Sequence, residues 1–183
     1  MEYKTLSNGV KIPIIGFGVF LIKEDGVCER CVSDALEIGY RHIDTAQAYE
    51  NEHQVGAAIS KSNIPRDEIF ITTKVRFAYY GGYAYESVMR SLDALGVDYI
   101  DLCLLHQPYG DVHRAWRDLE RLYSEGLLRS IGVSNFYPDR LADLSVYSDV
   151  SPMVNQIECH PLFARREDIP VLRGAKKGIL KGR

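Results

Sequence analysis

Four residues of this chain, Asp44, Tyr49, Lys74 and His106, could work together in acid–base chemistry. Asp44 closes the short segment His42-Ile43-Asp44, and Tyr49 follows within Ala46-Gln47-Ala48-Tyr49. Lys74 comes after Ile71-Thr72-Thr73, and His106 after Leu104-Leu105. An acid, a phenol, an ammonium and an imidazole together suit a reaction that builds negative charge on an oxygen atom, which calls for a proton donor and electrostatic stabilisation at that atom. A phenol can give the proton, but its ordinary pKa of about 10 is high for neutral water, and a nearby ammonium should lower it. Lys74 is expected to supply that charge, Asp44 to hold Lys74 charged and oriented, and His106 to donate to the same oxygen. Each residue alone is weak evidence, because strand-end polar groups often only cap loops. Their order, at the ends of successive strand-like segments, makes one shared site the stronger reading.

The segments that must position them alternate between apolar runs and helical patterns, which argues for βα units around a parallel sheet. Candidate strands are Ile14–Val19, His42–Asp44, Ile69–Thr73, Tyr99–Leu105, Leu128–Val133 and Met153–Ile157. Between them the apolar residues recur at helical spacing, as in Cys28, Val32, Ala35 and Leu36, or Ala115, Trp116, Leu119 and Leu122. Gly39, Gly96 and Gly126 stand where helices should end. Ahead of the first unit, Asn8-Gly9 between Tyr3–Leu6 and Val10–Pro13 is a strong hairpin signal. Carboxyl ends of parallel barrel strands are where active sites form, which is where this arrangement puts the four residues.

Gly39-Tyr40-Arg41-His42-Ile43-Asp44-Thr45-Ala46, then Tyr49-Glu50-Asn51-Glu52, with Lys74 and His106 downstream, resembles the aldo-keto reductases, and within them the bacterial diketo-gluconate reductase type. The resemblance implies a (β/α)8 TIM-type barrel with an N-terminal β-hairpin, reduction of aldehydes or ketones with NADPH, NADH being the alternative cofactor, and Tyr49 as general acid. It implies a catalytic tetrad of Asp44, Tyr49, Lys74 and His106, with Phe20, Tyr49 and His106 facing the small-molecule carbonyl substrate. It also implies cofactor contacts from Gly18, Val19, Asp44, Ser134, Asn135 and Gln156. Ser134 and Asn135 end the fifth candidate strand and Gln156 the sixth, and their amide and hydroxyl groups could bond a carboxamide. Strand-to-helix capping is an alternative role for Asn135, with Pro138 opening the next helix.

Other motifs carry less. Gly16-Phe17-Gly18 lacks the third glycine of a dinucleotide fingerprint and is read as a close approach at the end of the first strand. Tyr79, Tyr80, Tyr83 and Tyr85 around Gly81-Gly82 could wall a substrate site or only pack a loop. Trp116 reads as core, and His160 before Pro161 as structural. Cys28-x-x-Cys31 falls on one helical face without a second ligand pair, so packing is preferred to zinc or redox work and no metal is expected.

The net charge of −3, with both signs interspersed, lacks a basic stripe and argues against nucleic acid as partner. Neither a signal peptide nor a membrane-length apolar run is found, so the expectation is a cytoplasmic protein without membrane partners. A full barrel usually takes about 250 residues and rarely under about 200, whereas this chain has 183. The expected domain, 1–183, is therefore a single incomplete barrel of about six βα units, C-terminally truncated relative to the family. A sixth helix is read over Arg165–Lys177, and Gly178-Ile179-Leu180 as the entry to a seventh strand. Open edges would favour self-association and low stability as a monomer. Two alternatives to a working reductase are an inactive barrel that serves binding or assembly, and a lyase using Lys74 as a Schiff-base nucleophile.

Overall fold

The computed structural model describes residues 1–168 and Pro170. A two-stranded antiparallel hairpin, β1 (Tyr3–Thr5) and β2 (Lys11–Pro13), opens the chain, with Gly9 at φ 90° in its turn. Only glycine takes that backbone conformation freely, which is why Asn-Gly marks the reversal. Six parallel strands then follow in strict sequence order: β3 (Phe17–Gly18), β4 (His42–Asp44), β5 (Phe70–Val75), β6 (Leu102–Leu105), β7 (Ile131–Ser134) and β8 (Asn155–Gln156). Helices α1 (Val27–Glu37), α2 (Glu52–Lys61), α3 (Ala84–Leu95), α4 (Val112–Ser124) and α5 (Pro138–Tyr147) make the crossovers between them. Among the described residues β3 and β8 each pair with one neighbour, so the barrel is open. Most of the helix expected at Arg165–Lys177, and all of the strand entry at Gly178-Ile179-Leu180, lie outside the described residues.

Successive strand residues point to opposite faces, and the apolar set divides accordingly. Ile71, Val75, Cys103, Leu105, Ile131 and Val133 join the helices in one large core. Phe70, Leu102 and Leu104 form a second cluster, against which Val10 and Ile12 of the hairpin region pack. The hairpin thus plugs the inner side of the sheet, and His42, whose ring lies 5.0 Å from that of Phe70, shares this inner side. Gly132 has to be small here, because a Cβ would meet the Val154 carbonyl at 2.5 Å and Leu104 at 2.8 Å.

The helix ends follow the sequence signals. Gly39, Gly96 and Gly126 all have positive φ, and Gly96 is the left-handed cap of α3. Asp111 caps α4 by accepting from the Arg114 amide at 3.0 Å. Trp116 is buried in the core and donates to the Val150 carbonyl at 3.0 Å. Cys28 is buried and Cys31 partly so, both as free thiols; burial, then the neighbouring Cys31, raise the Cys28 pKa to about 11, away from thiolate chemistry. Among the described residues no group of three or more His, Cys, Asp or Glu side chains could hold a metal ion. No described helix is long and apolar enough to cross a membrane.

Candidate active site

Parallel register lines up the carboxyl ends of the strands. Gly18 pairs with Asp44, Asp44 with Thr72, and Lys74 with Leu104. Because Lys74 and Thr72 are two residues apart in β5, both face the inner side, and the Lys74 ammonium ion-pairs with Asp44 Oδ1 while also donating to the Thr45 carbonyl at 2.9 Å. Lys74 is 1% exposed. Burial lowers its pKa, and the Asp44 carboxylate opposes that by raising it. An amine so enclosed and so paired is poorly disposed to attack a carbonyl, which counts against the Schiff-base alternative.

Tyr49 sits at the end of a one-turn 3-10 helix, Gln47–Tyr49, immediately after β4. Its ring lies 5.7 Å from that of His106 and 4.9 Å from that of Phe20, and Lys74 Nζ is 5.1 Å from its centre. The four residues expected to act together therefore do converge. Neither the Tyr49 hydroxyl nor the ring nitrogens of His106 make a hydrogen bond among the described residues.

The electrostatics differ from the sequence expectation in one respect. The residue pattern has Lys74 lowering the Tyr49 pKa, but burial, with the Asp44 charge adding to it, raises it to about 12. Asp44 offsets much of the ammonium's charge at the phenol, so desolvation of the phenolate outweighs what remains. His106 moves down to about 4, through burial first and the Lys74 charge second. In neutral water the phenol keeps its proton and the imidazole is uncharged.

The second layer is drawn toward the same carboxylate. Gln156 donates to Asp44 Oδ2 at 2.8 Å across the sheet. Asn135, at φ 63°, donates to the His106 carbonyl and to Ser134 Oγ, each at 3.2 Å. Gly18, Asp44 and Gln156 line a cavity of about 540 Å³, together with Gly16 and His42. Val19 is fully buried in the helix-side core, so only its backbone faces this region. Phe20 is 62% exposed and overhangs Tyr49.

The tyrosine cluster does not act as a unit. Tyr80 is buried, with its hydroxyl accepting from the Gln107 amide at 3.2 Å, while Tyr83 is exposed and Tyr85 bonds Glu125. The aromatic pair that sequence reasoning missed is Phe77 and Tyr109, half exposed and 5.9 Å apart, on the loops that follow β5 and β6. The usable signal was an aromatic within a few residues of a strand's carboxyl end. His160 bonds Glu158 at 2.8 Å at the surface, a local role.

Residues 22–179 match the aldo/keto reductase family. The chain belongs to that family. It is 44% identical over 170 residues to a 9,11-endoperoxide prostaglandin H2 reductase of Trypanosoma cruzi, an alignment covering 88% of this chain and 58% of that protein. Against a glyoxal reductase of Bacillus subtilis the identity is 42% over 167 residues, covering 88% of this chain and 59% of the relative. Among solved structures, an aldo-keto reductase from a Medee basin deep-sea metagenome library superposes with a TM-score of 0.90 at 42% identity, over 93% of this chain and 64% of that one. A Bombyx mori aldo-keto reductase in complex with NADP gives 0.89 at 33% identity, covering 94% and 63%. This chain spans somewhat more than half the length of the curated family members it matches. Family membership and the open six-stranded barrel agree with the sequence reading, and members of the family are typically NADPH-dependent oxidoreductases.

Proposed function

We propose that this chain carries the acid–base half of an NADPH-dependent carbonyl reductase site, with Tyr49 as the proton donor to the substrate oxygen. The observation that carries the reading is the Tyr49 hydroxyl beside the His106 ring, neither hydrogen-bonded among the described residues, above a buried Lys74–Asp44 ion pair. With its pKa raised to about 12, Tyr49 holds its proton at neutral pH and can release it as charge develops on the carbonyl oxygen. His106, neutral because its pKa is near 4, offers one ring N–H to orient the same oxygen. Lys74, held by Asp44 and the Thr45 carbonyl, places a fixed positive charge beside the phenol and stabilises the phenolate that proton release leaves behind. Phe20 forms an apolar wall next to Tyr49 for an aldehyde or ketone of small size.

The residues fit a nicotinamide carboxamide. Asn135 Oδ1, Gln156 Oε1 and the Ser134 hydroxyl proton are left without partners among the described residues. A Cβ built on Gly18 would meet nothing within 4 Å, leaving open space beside Asp44. Ser134, Asn135 and Gln156 would hold the carboxamide, and Gly18, Asp44 and the Val19 backbone would border the ring. When bound, the reduced cofactor supplies the hydride. Self-association through the β3 and β8 edges is part of the same proposal, since Ile14, Ile15 and Leu21 beside β3 are exposed.

Titrating the purified protein with NADPH, followed by Trp116 fluorescence, and then measuring aldehyde-dependent NADPH oxidation tests the reading. Saturable binding with turnover supports it. Saturable binding with no turnover of any aldehyde, in both monomeric and associated fractions, would leave a binding protein and remove the catalytic assignment.

A further inference from the structure

Asn51 stands at the N-cap of α2, a position where its residue type is favoured because the side chain can accept from the first free helical amides. It does not do so: there is no side-chain cap bond. The fully buried amide turns the other way, donating to the Val19 carbonyl at 3.0 Å and the Ile22 carbonyl at 3.1 Å while accepting from the Thr45 hydroxyl at 2.8 Å. Val19 and Ile22 are the two ends of one tight turn, closed by Ile22 N to Val19 O at 3.2 Å. Inside that turn lie Phe20, whose ring rests on Tyr49, and Leu21 at φ 66°. The Tyr49 turn is likewise followed by a non-glycine left-handed residue, Glu50 at φ 60°. Such conformations are unfavourable for residues with a Cβ and persist when the surroundings impose them.

We infer that Asn51 is a positioning residue: by forgoing its helix cap to tie the Phe20 turn to Thr45, it sets the substrate-side wall against the Tyr49 phenol. One side chain spans the end of β4, the start of α2 and the loop after β3, so the exposed Phe20 ring is fixed from beneath. The inference rests on the proposed reductase reading for its kinetic consequence but not for its structural one.

The test places para-fluorophenylalanine at position 20 and reads fluorine NMR. Parent protein should give a single resonance shifted by the Tyr49 ring. Asn51→Ser keeps a helix-capping residue but loses the bonds to Val19 and Ile22, so its resonance should move toward the free-ring position and broaden. Thr45→Val, which releases only Asn51 Oδ1, should move it in the same direction and less. An unmoved resonance in a folded Asn51→Ser protein overturns the inference, and if that variant does not fold, an unmoved resonance in Thr45→Val does so. With para-nitrobenzaldehyde as substrate, Asn51→Ser should raise KM several-fold more than it lowers kcat, and the KM effect should vanish in a Phe20→Ala background. A KM effect undiminished in that background also overturns it. Absence of turnover in the parent would defeat the reductase reading alone, because the fluorine experiment still decides the role of Asn51.

Discussion

Two ion-paired carboxylates sit at opposite ends of the parallel sheet, Asp44 closing β4 and Asp101 preceding β6, and do different work. Asp101, just before β6, has both oxygens committed: Oδ2 to Arg66 at 2.7 Å and to the Ile71 amide at 3.0 Å, and Oδ1 to Arg129 at 3.3 Å. The two guanidiniums also flank the Tyr99 ring, at 4.2 and 5.4 Å from its centre. Arginine keeps its proton at any ordinary pH and its planar fork matches carboxylate. At this end both carboxylate oxygens are used, and the Arg66 Nε is the one guanidinium atom buried without a partner among the described residues. Asp44 instead pairs with a lysine, whose charge is less secure under burial, and beside that pair stand a phenol and an imidazole without hydrogen bonds among the described residues. A buried charge pair marks a reactive site when titratable groups next to it keep unused donors and acceptors, and a structural joint when the carboxylate is fully claimed by permanently charged guanidiniums and backbone.

The largest effect expected from this contrast is kinetic. Tyr49→Phe should lower carbonyl reduction by about 10²–10⁴-fold, the range for loss of a general acid, with NADPH affinity nearly unchanged. Lys74→Met should be similarly damaging. Initial rates with an aldehyde, set beside fluorescence titration with NADPH, check both. A Tyr49→Phe enzyme with parental kcat would take the phenol out of the reaction.

Next comes stability. Asp101→Ala leaves two arginines without their buried partner and should cost about 3–5 kcal/mol, read as a shift of the urea midpoint. Asp44→Asn keeps an acceptor for Lys74, and a flip of the Gln156 amide can meet the new NH2, so it should destabilise less and damage turnover more. If the two variants lost stability and activity in the same proportion, the division between the two ends would be wrong.

The pH dependence sharpens the comparison further. His106 titrates near 4 in the folded chain against 6.5 ordinarily, so between those values the unfolded chain holds a proton that the folded one lacks. Stability contributed by neutral His106 is therefore present above about 6.5 and is lost as pH falls toward 4. Tyr49 has the opposite sense: its protonated form is favoured in the fold, and its contribution is lost only as pH rises from about 10 toward 12. Urea melts from pH 7 down to 4 should weaken less in His106→Gln than in the parent. Equal weakening in the two would show that the acid sensitivity originates elsewhere.

Much of this was legible in the residues. His42–Asp44 is a strand with the bounds that its apolar pattern indicated, and Asn8-Gly9 makes the expected hairpin, because both depend on local chemistry. Ile69–Thr73 is shifted toward the carboxyl end, to Phe70–Val75, while several other strands are shorter than their apolar runs. Ile14–Val19 contracts to Phe17–Gly18 and Met153–Ile157 to Asn155–Gln156, since each is an edge strand with one partner to fix its ladder. Tyr99–Leu105 starts only at Leu102, where Ile100 makes an isolated bridge to Leu128 and the Asp101 side chain takes the Ile71 amide. The tetrad could be read from order and residue type. The rise of the Tyr49 pKa could not, because its sign depends on how deeply the ring is buried and on whether Asp44 has already claimed the lysine. Asn51 was visible only as part of Tyr49-Glu50-Asn51-Glu52, since the direction of its side chain is a tertiary fact.

The smallest effect separates the two arginines at the Asp101 end. Arg129 touches Asp101 at 3.3 Å, and its side chain is 42% exposed, so water can replace much of what it gives. Arg66 is shielded more, with its side chain 23% exposed, and it donates to the Ile69 and Tyr99 carbonyls as well as to Asp101. Removing Arg129 as Arg129→Gln should cost no more than about 1 kcal/mol, the usual limit for a solvent-exposed pair. Arg66→Gln should cost more, because it strips partners from two backbone carbonyls and a buried carboxylate together, and hydrogen bonds to charged groups are worth about 1.5–3 kcal/mol. Urea midpoints at matched ionic strength measure both, and raising the salt should narrow only the Arg129 loss. If Arg129→Gln proved the more damaging, Asp101 would depend on its outer cation rather than its inner one, and that end of the barrel would be less complete than its hydrogen bonds indicate.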